Sequence, residues 1–167
     1  MRHASTALIL LFLAFLALPA CSGDQASSSK GDGLKGWESG GEYDKKYDPA
    51  EFDKIKGFYD RVIDVTPLPG MAPGLALVMK DKADGNEVVV QLGPKSFVEE
   101  DLKKLDLRGG LQIKAYGAWA EIDGHDVIMA TKIKKTEEAF IKVRRTKDGF
   151  PHWNLTLEER KKEIDGE

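Results

Sequence analysis

One stretch of helical period interrupts a run of strands, and that single interruption constrains the fold more than any other feature. Between Ile55 and Arg145 the chain reads as short β-rich segments separated by breakers, except over Lys95 to Leu105. There Phe97, Val98, Leu102 and Leu105 recur at helical spacing, with Glu99, Glu100, Lys103 and Lys104 between them. Three strands are predicted before this helix: Ile55 to Val65, Leu75 to Lys80 and Glu87 to Leu92. Gly57 marks an expected bulge or tight bend in the first, and Asp84-Gly85 turns the chain between the second and third. Beyond the break at Arg108-Gly109-Gly110, Leu111 to Ile122 alternates strictly at first. Leu111, Ile113 and Ala115 share one face, and Gln112, Lys114 and Tyr116 the other. Gly117 lets this fourth strand bend. Asp123-Gly124 is a two-residue hairpin turn into a fifth strand, His125 to Lys134, and Ala139 to Arg145 is a sixth. The expected class is mainly β, with one short helix between strands 3 and 4 and an extra edge strand.

The N-terminus reads as an address. Arg2 and His3 precede an apolar run from Ala7 to Leu18, which is too short to span a bilayer and has the form of an export signal. Leu18-Pro19-Ala20-Cys21 resembles the lipobox of bacterial lipoproteins. That resemblance implies cleavage before Cys21 and lipidation of its thiol, so the membrane is a partner through Cys21. Ser22 in place of aspartate after the cysteine leans toward the outer membrane, with the domain facing the periplasm. Residues 22–41 hold six glycines and five serines, a composition that cannot offset its ordering entropy. A tether spanning about 25 Å is expected there, with Trp37 as an isolated exposed aromatic. The chain thus divides into a leader over 1–20, a lipid-anchored linker over 21–47, a folded domain over 48–153 and a charged tail over 154–167. Asp48-Pro49-Ala50-Glu51 starts a short helical turn, and Thr156 with Glu159 forms a capping box in the tail.

The order β-β-β-α-β-β is the layout of the small OB-fold barrel. Gly110-x-x-Ile113-x-Ala115-x-Gly117 resembles the fourth-strand pattern of many OB domains. Val90-x-Leu92-Gly93-Pro94, the short helix, the Asp-Gly hairpin and Asp148-Gly149-x-Pro151-x-Trp153 together resemble the domain named for the magnetosome proteins MamS and MamX. The resemblance covers about residues 48–153. It implies an exported, non-enzymatic accessory module. The haem-attachment motif of the MamX branch is absent here, so a cytochrome role does not carry over.

Composition narrows the chemistry. A single cysteine excludes an intramolecular disulfide framework, a CxxC redox pair and a Cys₄ zinc site. A net charge of -3 is unlike a general nucleic-acid binder, and no nucleic-acid partner is expected. No nucleophile motif is present, and Glu99-Glu100 and Glu137-Glu138 are adjacent rather than convergent. An enzyme is therefore not expected, nor a cofactor. His125 lies beside Asp123 and Asp126, but the group reads as a polar turn, and His152 has no neighbouring ligands, so no metal is assigned. Ser96 reads as a helix cap.

The most suggestive charge feature is basic. Lys132, Lys134, Lys142 and Arg144 on strands 5 and 6 form a candidate site for an anion or an acidic partner, weighed against simple protection of a sheet edge. Tyr116 and Trp119 form a candidate aromatic surface. The function expected is a membrane-anchored, non-catalytic binding module for an envelope protein partner. The alternative is a periplasmic module for a small ligand, metal or anion.

Overall fold

The computed structural model describes residues 32–165. The leader, Cys21 and residues 22–31 of the tether lie outside them. Six strands are present: β1 (Phe52–Val65), β2 (Gly74–Asp81), β3 (Glu87–Pro94), β4 (Gln112–Ile122), β5 (His125–Lys134) and β6 (Phe140–Lys142). Helix α1 (Lys95–Leu105) lies between β3 and β4, and α2 (Leu157–Asp165) ends the described chain. The sheet order is β3-β2-β1-β4-β5-β6, with neighbours antiparallel. One further pairing is parallel: β3 meets β5 through Val90 with Ile128 and Gln91 with Met129. Hydrogen bonding therefore runs in a ring through β1, β2, β3, β5 and β4. Leu77, Val90, Ile113 and Ile128 are buried in its core. Among the described residues no helix is long and apolar enough to cross a membrane.

Local chemistry explains most of the elements. Val98, Leu102 and Leu105 are the buried side of α1, at the spacing the sequence shows. The helix closes at Asp106 in a left-handed conformation (φ 44°), where the Lys135 ammonium donates to the carbonyls of Leu105 (3.0 Å) and Asp106 (2.9 Å). Asp123 (φ 51°) and Gly124 (φ 73°) give the hairpin turn the positive φ pair that suits the twist of β4 and β5. At Gly117 the β4–β5 register shifts, and a Cβ there would lie 2.3 Å from the Met129 carbonyl oxygen. Only glycine permits that approach. The tail helix forms behind its capping box, with the Thr156 N–H donating to Glu159 (2.8 Å).

Four expectations are corrected. Gly57 is not at a bulge: the β1–β2 irregularity lies between Tyr59 and Arg61, and Gly57 is where the Lys80 carbonyl would come within 2.2 Å of a Cβ. Ser96 does not cap α1: Pro94 holds the N-cap position, and the Ser96 hydroxyl donates to the Gly33 carbonyl (3.1 Å). Strand β6 ends at Lys142 rather than Arg145. The N–H groups of Val143 and Arg144 both donate to the Thr131 carbonyl, so the ladder stops, and Arg144 makes only an isolated bridge to Pro151.

The fourth correction concerns the tether. Trp37 is fully buried, not exposed, and Tyr43 and Tyr47 are buried with it. The Trp37 indole donates to the Ala72 carbonyl (2.9 Å), and the Trp153 indole donates to the Trp37 carbonyl (2.6 Å). The Tyr43 hydroxyl donates to Gln91 on β3 (2.8 Å). Residues 32–51 are thus a strap packed on the sheet. Three indole and phenol rings supply enough apolar area to order a segment whose glycines and serines alone would not.

Candidate anion-binding face

Register across β1, β4, β5 and β6 places basic side chains in two rows. Lys54 pairs with Tyr116, Tyr116 with Lys132 and Lys132 with Lys142. Two residues along, Lys56 pairs with Lys114, Lys114 with Lys134 and Lys134 with Phe140. Side chains alternate along a strand, so both rows point to the same side of the sheet. Six lysines and two aromatic rings therefore share one face. The rings are sandwiched by cations: Lys54 and Lys132 lie 5.3 and 5.8 Å from the Tyr116 centroid, and Lys132 lies 5.4 Å from that of Phe140.

This arrangement is electrostatically unfavourable in isolation. Like charges directly opposite on neighbouring strands destabilise a sheet, and the second row sets three lysines abreast. Glu137, in the β5–β6 turn, is the carboxylate that answers them. It is ion-paired with Lys134 and lies 3.8 Å from Lys114. Its hydrogen bond from Lys134 holds the Glu137 carboxyl below its ordinary value and raises Lys134 in turn. Lys54 and Lys56 are exposed at the β1 end of the rows, so positive charge on this face is open to solvent there.

The structure brings together Lys132, Lys134, Lys142 and Tyr116 of the residues singled out in the sequence. It adds Lys54, Lys56 and Lys114, whose signal was present as the alternation of Lys54 with Lys56 on β1 and of Lys114 with Tyr116 on β4. Their pairing with β5 depends on a register that no single strand reveals. Lys142 lies at the covered end of its row, 9% exposed, and donates to the Glu163 carbonyl of α2 (3.2 Å).

Arg144 does not belong to this face. It is 1% exposed and sits in an aromatic box, 4.7 Å from the Trp153 centroid, 5.8 Å from Tyr43 and 5.9 Å from Tyr47. Its Nη1 donates to Asp44 (2.5 Å) and to the Gly149 carbonyl (2.8 Å). Burial pushes the Tyr43 hydroxyl well above its ordinary value, against the opposing pull of Arg144. The cation therefore joins the strap to the closing segment and is not available to a partner.

Trp119 also parts from Tyr116. Three residues apart on one strand, the two rings face opposite sides. The Trp119 indole donates to Asp53 (3.3 Å) and lines an open acidic cleft with Asp81, Asp84, Glu87 and Asp126. His125 is exposed at its turn. His152 is buried at 1% exposure, with both ring nitrogens lacking a hydrogen-bond partner among the described residues. Burial, then the positive charges of Lys142 and Arg160, lowers its pKa to about 4. Among the described residues no group of three or more His, Cys, Asp or Glu side chains is arranged to hold a metal ion.

Comparison with known proteins gives one match. The model of the MamS/MamX magnetosome protein family matches residues 51–140, from the start of β1 into β6, and so includes every residue of the two rows except Lys142. No curated protein matches the chain, and no solved structure does.

Proposed function

Because the chain belongs to the MamS/MamX magnetosome protein family, we propose that it is an exported accessory module, held at a membrane through a lipidated Cys21, that acts by binding and not by catalysis. The ring of β1, β2, β3, β5 and β4, with α1 between β3 and β4, supports assigning it to the OB-like barrels. The observation that carries the binding role is the pair of lysine rows. They gather Lys54, Lys56, Lys114, Lys132 and Lys134 on one side of the sheet at a cost in sheet stability, which an anionic surface would offset. In this role the module serves an envelope protein and stands at the membrane where that protein resides.

Two measurements test the assignment. Fractionation of cells should find the native chain with membranes and the Cys21→Ser variant released. Retention of that variant would remove the anchor. Crosslinking in cells should join the native chain to a discrete envelope protein, with the adduct weakened in Cys21→Ser. If no adduct forms at all, the accessory role falls.

A second location favours the small-anion alternative. An open cleft of about 540 Å³ between the turn after β6 and α2 is lined by Lys142, Arg145, Lys147 and Lys162, together with Asp148 and Glu163. Titration of the native chain with inorganic phosphate tests it. Saturable binding lost in Lys147→Glu with Lys162→Glu is the expected result, and no heat of binding would end that alternative.

A further inference from the structure

The outward side of β1 is not simply basic. It reads Phe52, Lys54, Lys56, Phe58, four alternate residues on one side of the strand. Phe52 is 36% exposed and Phe58 40%, which places both among the few large apolar side chains left open to solvent. Tyr116 and Phe140 add two half-buried rings beneath the lysines. Exposed phenylalanines flanking lysines, with the Lys54 and Lys132 ammonium groups over aromatic rings, make an amphipathic surface. Its cations can reach outward while its rings sink toward an apolar phase. This is the chemistry of a lipid headgroup layer: anionic groups for the ammonium heads, acyl boundary for the rings. An acidic protein would satisfy the lysines and leave Phe52 and Phe58 to be covered by something else.

Chain length points the same way. The strap brings the start of the described fold to Asp32. Only eleven residue steps separate it from Cys21, at most roughly 40 Å of chain. A domain on so short a lead stays beside the bilayer that holds its anchor.

We propose that the face built from Lys54, Lys56, Lys114, Lys132 and Lys134 with Phe52 and Phe58 docks on an anionic lipid surface. The anchor sets the distance of the domain from the membrane, and the face sets its orientation. The proposal rests on the assignment of this face as anion-binding, and gives it a lipid partner.

The test uses the full chain carrying Cys21→Ser, so that acylation contributes nothing. Binding is measured by sedimentation with phosphatidylcholine vesicles, with vesicles also containing phosphatidylglycerol, and with soluble polyglutamate. Lys54→Glu, Lys114→Glu and Lys132→Glu together form the face variant. Lys103→Glu, Lys104→Glu and Arg108→Glu form a control with the same change in charge, on α1 and just beyond it. Both carry the same leader, so its contribution cancels. Circular dichroism and thermal melts establish that each variant is folded, and Phe52→Ala with Phe58→Ala serves as an independent face variant if the triple charge reversal does not fold.

The expected result is preference for phosphatidylglycerol vesicles, reduced about 100-fold in the face variant and less than about 5-fold in the control. The double alanine variant should also weaken it. Binding of polyglutamate that is lost in the face variant, without preference between the vesicles, overturns the lipid partner and keeps the face as a protein-docking surface. Equal behaviour of face variant and control with every probe overturns both.

Discussion

Arg144 and Lys132 come from one basic stretch of sequence, and the fold gives them opposite tasks. Arg144 is buried against three aromatic rings and paired with Asp44, a residue one hundred positions earlier. Lys132 stands on the sheet face between Tyr116 and Phe140. The first is a rivet between strap and closing segment, and the second is part of a charged surface. The difference teaches that a cluster of cations in sequence carries no information on which of them are structural. That is decided by where the anions and rings arrive in space.

Breaking the rivet should have the largest effect. Arg144→Met leaves the Asp44 carboxylate beside apolar rings with no cation. Loss of one member of a buried pair costs about 3–5 kcal/mol. Lys132→Met, half-buried on the sheet face, gives up its place over the Tyr116 and Phe140 rings and should cost less, about 1 kcal/mol. Urea unfolding of the two variants measures both. Similar midpoints would mean that the Arg144 pair adds nothing to the fold.

Trp37→Ala attacks the other half of the same rivet. It removes a fully buried indole, its hydrogen bond to Ala72 and its edge contact with Trp153, whose centroid lies 5.9 Å away. A loss of roughly 3–5 kcal/mol is expected. Protease sensitivity should appear in residues 32–51 ahead of the rest. Unchanged stability would show that the strap is dispensable.

What the sequence could show follows the same division. Helix α1 and strand β5 run over the expected residues, because their period, breakers and caps are local. The Asp123-Gly124 turn and the Thr156 capping box were legible for the same reason. The strap was not. Its composition resembles a linker, and its order comes from contacts with Ala72, Gln91 and Trp153, far along the chain. The full lysine face was half legible. Alternation on each strand put lysines on one side, but the registers that set Lys56, Lys114 and Lys134 abreast are long-range facts.

His152 gives the comparison a pH dependence. It lies in the closing segment, unprotonated in the fold, with its pKa lowered from 6.5 to about 4. The unfolded chain binds a proton that the folded chain refuses. Stability from this group is therefore complete above pH 6.5 and is lost as pH falls toward 4, by about 2 kcal/mol between pH 7 and pH 5. His152→Gln should flatten that part of the stability profile. An identical slope in the variant would place the titration elsewhere.

The smallest effect is the sharpest test of the lysine rows. Lys114 stands between Lys56 and Lys134, with the Glu137 carboxylate 3.8 Å away. Lys114→Gln removes two like-charge neighbours and one long ion pair. The balance favours the variant, so it should be more stable than the native chain by a few tenths of a kcal/mol, within the range of cross-strand pair effects. Added salt screens the repulsion, so the gain should shrink as ionic strength rises. The same change should weaken attachment to an anionic surface. Stability and binding would then move in opposite directions at one position, as expected where a protein accepts strain in order to meet a partner. A variant that loses stability as well as binding would mean that the row is held together within the fold and has no need of an anion.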